Sequence, residues 1–259
     1  MGVLMVYPGS KSRLAPIFIP MLNKLIKSKN IASYIEPFVG GGNIFDGIVC
    51  QEKIGYDKSR TLIALFNHGL ENINTIPEEG SREWWDEAKA QYRGEVPQSM
   101  PDWKIGAIQY FASFGTRGFP GGFANNKNGK DYYNERFRNF KSQIKRLKQT
   151  GGKFVCGEYV DIDIPSGSLV YCDPPYMGTK PYGYSFENDF DHSDYWNWVR
   201  EISKDSYVLC SEQRCPDDFE IVWSGELIRN VSSKNNVLGK EILCIYKEGL
   251  LKKEDLKIS

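Results

Sequence analysis

Paired cysteines and histidines are the first things this chain lacks. It has two histidines, His68 and His192, and six cysteines, at 50, 156, 172, 210, 215 and 244, with no Cys-x-x-Cys spacing. That argues against a structural zinc site and against a disulfide framework, and no metal is expected. Cys172, Cys210 and Cys244 lie within apolar, strand-like runs and read as core residues. No apolar run approaches the roughly 18 residues of a membrane span, and no secretory leader is recognisable. A cytoplasmic protein with reduced thiols and no membrane partner is therefore expected. Formal net charge is zero, so no global positive field announces nucleic acid. Gly-x-Gly-x-x-Gly is missing as well, and with it the dinucleotide fingerprint of an oxidoreductase.

What is present is ordinary in amount and uneven in arrangement. The 259 residues are 41% hydrophobic and 25% charged, enough for a soluble globular core. Charge, however, is segregated. Between Lys104 and Lys153 eleven Lys and Arg face only Asp131 and Glu135, whereas between Glu158 and Glu226 fifteen acids face four cations. One face suited to a polyanion is the functional reading; a solvated helix surface is the bland one.

Along the chain, Tyr7-Pro8-Gly9-Ser10-Lys11 is a turn with an aromatic before it and a cation after it. The 3.6-residue spacing of Leu14, Ile17, Phe18, Met21, Leu22, Leu25 and Ile26 predicts a helix over 12–27. Tyr34 to Val39 reads as a strand, followed by Gly40-Gly41-Gly42 and a helix from about Asn43 to Val49. Glycines there let backbone approach a ligand closely, and a helix start offers unpaired amides. A second strand, Lys53 to Tyr56, ends in Asp57, where a βαβ unit holds a ribose through its hydroxyls; a helix cap is the alternative.

The strand rhythm then breaks. Helices are predicted over 59–68, 81–92, 102–114 and 134–149, with a glycine-rich mobile loop or hairpin at 115–130. Arg117, Lys127 and Lys130 in that loop, with Arg136 and Arg138 on the basic helix behind it, are the candidate phosphate contacts. Strands return at 153–159 and 168–172, a helix opened by Ser193 at 193–204, and strands at 207–211, 220–224 and 242–247, with a polar loop at 232–236. Residues 250–259 read as a frayed tail. The residues alone imply an α/β protein: a parallel-dominated sheet at 1–57 and 151–249, interrupted by a helical, basic insertion at 58–150.

Ser168 to Cys172 is a buried strand that stops at Asp173-Pro174-Pro175-Tyr176. Pro174 fixes its own φ and Pro175 keeps Pro174 extended. A carboxylate, a stiff backbone carbonyl and an aromatic ring thus stand together at a strand's carboxyl end, where open α/β sheets bind ligands. Two acceptors aimed at an amine's two hydrogens are what a delocalised exocyclic amine needs to become nucleophilic. Tyr182, Tyr184 or Phe186 could complete a stacking wall.

In this order the motifs resemble the Dam-type DNA adenine methyltransferases of bacteria and phages, through nearly the whole chain. Tyr7 to Lys11 resembles the family's amino-terminal methionine-pocket motif. Glu36-Pro37-Phe38-Val39-Gly40-Gly41-Gly42 resembles its cofactor-binding strand and loop, Asp57 the ribose acid, and Asp173 to Tyr176 the catalytic tetrad. Glu158-Tyr159-Val160-Asp161 falls where the family borders the cofactor's adenine, and 232–243 is similar to its carboxy-terminal loop and strand. The resemblance implies a seven-stranded Rossmann-like methyltransferase sheet with one antiparallel strand, a mainly helical target-recognition insertion, and S-adenosyl-L-methionine as cofactor. It implies double-stranded DNA as partner, a monomer or weak dimer, and methyl transfer to N6 of a flipped-out adenine. It identifies Asp173, Pro174, Pro175 and Tyr176 as catalytic. Tyr7, Lys11, Glu36, Pro37, Phe38, Gly40, Gly42, Asp57, Tyr159 and Asp173 become cofactor-binding. Residues 114–123 depart from the family's DNA-reading hairpin, so no recognition sequence is implied. A cytosine-N4 or RNA amino-methyltransferase, or a non-catalytic DNA-binding module of the same fold, remains as the alternative.

Overall fold

In the computed structural model, residues 5, 7–115, 118–124, 131–176, 190–232 and 235–256 are described. The strand-like runs join one sheet, made of β1 (Ser33–Glu36), β2 (Glu52–Asp57), β3 (Lys153–Cys156), β4 (Leu169–Cys172), β5 (Tyr207–Glu212), β6 (Phe219–Ser232) and β7 (Asn235–Tyr246). Their order is β3-β2-β1-β4-β5-β7-β6. β1 to β5 pair in parallel, and β7 runs antiparallel to both of its neighbours. The sheet is the Rossmann-like arrangement expected. The direction of winding reverses between β1 and β4, so a crevice opens beyond Glu36 and Cys172, and ligands of such sheets bind at that point.

Among the described residues six α-helices surround it: α1 (Ala15–Lys29), α2 (Arg60–Asn72), α3 (Arg82–Tyr92), α4 (Asp102–Phe111), α5 (Tyr132–Thr150) and α6 (His192–Ile202). Each starts where local chemistry favours it. Pro16 presets the first turn of α1, and Asn30, in the left-handed region at φ 52°, closes it. Ser81, Asp131 and Asp191 accept first-turn amides of α3, α5 and α6. One core joins α1 and α2–α5 to the sheet, with Phe66 stacked on Phe154 at 4.3 Å. A second packs α6 through Tyr195, Trp196 and Val199 against the other face. The helices of 58–150 thus share their hydrophobic core with the sheet. Among the described residues no helix is long and apolar enough to cross a membrane.

Four expectations change. The helix expected over 43–49 is a single 3-10 turn, Phe45–Gly47. Lys53 enters the core and takes the carbonyls of Phe45 and Ile48, both at 2.9 Å, which a longer helix would have used itself. The two short strands expected at 220–224 and 242–247 are one long hairpin, β6–β7, with irregularities at Ile221/Trp223 and Asn230/Ser232; ladder pairing continues past the apolar run that marks it in sequence. The part of the glycine-rich loop at 118–124 is packed, with Phe119 buried against Trp85 and Tyr92. Finally, 250–256 is not frayed: Leu251 is buried and Asp255 pairs with Lys29 at 2.6 Å.

Candidate active site

The crevice is built from the carboxyl ends of β1, β2 and β4. After Glu36 the chain passes through Pro37, Phe38 and Val39 into the glycine loop, which Val39 fastens by donating to Tyr56 O at 2.8 Å. Gly40 has φ +47°, and a Cβ there would meet the Tyr7 ring at 2.8 Å; a Cβ on Gly41 would meet Tyr7 at 2.7 Å. Only glycine lets Tyr7 lie on the loop, so the amino-terminal turn and the loop form one cradle. Asn43 ties them by donating to Ser10 Oγ at 2.7 Å, and its own Oδ1 is buried with no hydrogen-bond partner. Asp57 spans the mouth of the cradle: its carboxylate accepts from Gly40 N at 3.1 Å and from Ser59 N at 2.8 Å. Ser59, rather than Asp57, holds the N-cap position of α2.

Beneath the loop lies a residue that sequence reading missed. Gln143, fully buried on α5, donates to Gly41 O at 2.8 Å and Gly42 O at 3.1 Å and accepts from Met5 N at 3.3 Å. Three residues on, Arg146 pairs with Asp46 at 2.7 Å in the turn that follows the loop.

Asp173 stands at the end of β4. Lys11 reaches it from the start of the chain at 2.5 Å, while also donating to Gly9 O at 3.3 Å. The Lys11 ammonium lies 4.6 Å from the centre of the Tyr176 ring. Burial pushes the Asp173 carboxyl up to about 6; Lys11 opposes the rise and Glu241 adds to it. Glu36 is buried with the Tyr34 hydroxyl donating to it at 2.6 Å, and burial pushes it up to about 8 against that hydrogen bond. Pro174 is buried and Pro175 exposed. On the far side of the crevice Phe38 packs on Tyr159 at 5.3 Å within an aromatic group that includes Phe190, Tyr195 and Trp198.

The crevice therefore brings together Tyr7, Lys11, Glu36, Pro37, Phe38, Gly40, Gly42, Asp57 and Asp173 to Tyr176, with Tyr159 behind Phe38. Arg138 is exposed on α5. Arg136 is not available to a phosphate: it is buried, and its guanidinium donates to Tyr110 O at 3.1 Å, Gly115 O at 2.8 Å and Ser113 O. It closes the carboxyl end of α4, a place where a cation satisfies otherwise unpaired carbonyls. Arg117, Lys127, Lys130, Tyr182, Tyr184 and Phe186 lie outside the described residues. Glu241, 3.7 Å from Lys11 Nζ, also stands at this site; sequence reading gave it no role beyond its place in the 232–243 resemblance.

A seven-stranded sheet in this order, with a glycine cradle at β1, an acid at the end of β2 and an Asp-Pro-Pro-Tyr turn after β4, defines a Rossmann-like amino-methyltransferase. The chain belongs to the D12 class N6 adenine-specific DNA methyltransferase family, which it matches over residues 7–95 and 109–241. It is similar to the type II methyltransferase M.MjaIII of Methanocaldococcus jannaschii, 23% identical over 269 aligned positions that cover 89% of this chain and 91% of that protein. The protein is an enzyme that transfers a methyl group to N6 of adenine in DNA, and the cytosine, RNA and non-catalytic alternatives fall away.

Proposed function

We propose that the methyl donor is S-adenosylmethionine, held across the ends of β1 and β2, and that the target adenine is swung out of double-stranded DNA onto Tyr176. The observation that carries this reading is the 2.5 Å contact between Lys11 and Asp173, which ties the amino-terminal turn to the tetrad across 162 residues of chain. The cradle fits such a donor. Gly40 and Gly41 let the Tyr7 ring close on the loop to form one wall, and Asp57 lies where ribose hydroxyls would be held. Glu36 is a buried acid without a full counter-charge, and a cationic amino group beside it would restore its ionised form. When bound, S-adenosylmethionine supplies an electrophilic methyl group on a sulfonium sulfur.

Asp173 and the Pro174 carbonyl accept the two N6 hydrogens and return the lone pair from the ring to nitrogen. Once methylated, N6 would have one proton to shed, and Asp173 would take it. Tyr176 supports the base, whose extrusion costs a few kcal/mol. Positioning supplies much of the acceleration. The 58–150 insertion presents the DNA contacts: Arg117, Lys127 and Lys130 from its loop, and Arg138 with Lys141, Lys145 and Lys148 from one stripe of α5.

Asp173→Ala tests the assignment. It should abolish methylation of duplex DNA while donor affinity, measured by equilibrium titration, stays close to that of the parent enzyme. An active Asp173→Ala enzyme would remove Asp173 from the chemistry.

A further inference from the structure

We propose that Glu241, on the antiparallel strand β7, is the positioning residue of the tetrad: it anchors the Tyr176 ring through its hydroxyl and shares Lys11 with Asp173. The inference rests on the catalytic reading of Asp173 and Tyr176 given above and gives a role to a residue of the carboxy-terminal strand to which none was assigned. β7 pairs with β5 so that Ser211 lies opposite Leu243 and Glu212 opposite Ile242. Glu241 therefore emerges one step beyond the last of those pairs, at the same sheet edge as Asp173. It is 1% exposed. An ionised carboxylate at such a depth is costly unless donors surround it. Three do: Tyr176 donates its hydroxyl to Glu241 Oε1, Ser211 Oγ donates to the same oxygen at 2.7 Å, and Lys11 Nζ lies 3.7 Å away. Two of the three belong to the tetrad or its cationic partner, so this acid is satisfied by the active site itself.

Two consequences follow. The Tyr176 ring is fixed at both ends of its polar axis, by Glu241 at the hydroxyl and by the tetrad backbone at the other, with the Lys11 ammonium 4.6 Å from its centre. A stacking platform that turns about its own bond would misplace the base, and displacement of about 1 Å costs roughly 10²-fold in rate. Glu241 also draws on the charge of Lys11. Without it, Lys11 would pair with Asp173 alone and hold the carboxylate more firmly ionised, hence less available to the amine. Among the described residues the charged or titratable groups facing Asp173 are Lys11, Glu36, Tyr171, Cys172, Tyr176, Glu212 and Glu241; of these, Glu241 and Tyr176 are the ones exchanged in the test.

The test is the pH dependence of single-turnover methylation for Glu241→Gln, Tyr176→Phe and the double variant, with DNA and donor affinities measured by titration. Glu241→Gln should bind both ligands as the parent does and lose roughly 10²-fold in the chemical step. Its acid limb should move to lower pH, because a negative neighbour of Asp173 has gone. Loss of fold alone would not produce that shift. The double variant should lose no more than the worse single one, since both act on one hydrogen bond: Tyr176→Phe removes its donor, and Glu241→Gln keeps an acceptor oxygen but takes away the charge that strengthens it. If Glu241→Gln does not fold, Tyr176→Phe breaks the same bond from the other side and must slow chemistry at unchanged DNA affinity. A Glu241→Gln enzyme with the parental rate and acid limb, or additive losses in the cycle, overturns the proposal. Neither result touches the catalytic reading, which only an active Asp173→Ala enzyme would overturn.

Discussion

Asp173 answers two opposed demands. On the proposed reading it must be ionised to accept an amine hydrogen, yet burial disfavours its charge and pushes it up to about 6, with Lys11 holding it from rising further. A carboxyl is protonated below its pKa, so methylation should fall tenfold per pH unit below about pH 6 and level off above it. A single-turnover pH profile measures this. Asp173→Asn keeps an acceptor oxygen but cannot titrate, so the slower reaction that remains should lack the limb; an unchanged limb would assign it to another group. At this scale Asp173, Lys11 and Asp57 were legible because proline, glycine and strand ends announce them locally. Glu241 and Gln143 were not, since one acid in a strand and one amide in a basic helix acquire meaning only from partners 65 and 102 residues away. Arg136 was misread for the same reason: a basic stripe does not reveal which cation turns inward.

Among the elements, α5 has the most to do. Its apolar stripe fixed its presence and its core-facing side from sequence, as hydrophobic periodicity does. What periodicity could not supply is that the same side carries polar grips on the cofactor cradle, Gln143 on Gly41 and Gly42 and Arg146 on Asp46. The 43–49 segment failed as a helix because Lys53, which folding turns inward beneath it, claims its carbonyls. Gln143→Ala should leave Gly41 O and Met5 N buried without partners, at a cost of about 1–3 kcal/mol for each such group. Part of that should appear as a several-fold loss of donor affinity, with the rate at saturating donor little changed. Urea unfolding and donor titration separate the two effects. Lower stability with unaltered donor affinity would make Gln143 a fold residue only.

For the molecule as a whole, net charge says little and its distribution says more. The zero total conceals a positive insertion and a negative remainder, and the fold leaves the cations of α5 other than Arg136 outside the core. At 100° per residue, Arg138, Lys141, Lys145 and Lys148 fall opposite Gln143, on the outer side of the helix that grips the cradle. They line one open groove with Ile73, and among the described residues only Lys141 has an acid within reach, Glu78 at 3.8 Å. A solvated helix face and a track for flanking duplex are both compatible with such a stripe, and salt distinguishes them. Each phosphate contact adds roughly 0.9 to the slope of log affinity against log salt concentration. Replacing Lys141, Lys145 and Lys148 by glutamine should therefore flatten that slope by about 2–3, weaken binding to target and non-target duplexes alike, and leave single-turnover chemistry at saturating DNA near the parental rate. An unaltered slope would place the duplex elsewhere and return these lysines to solvent. A slope change with lost discrimination between sequences would instead make the stripe part of base reading, which phosphate contacts alone cannot do.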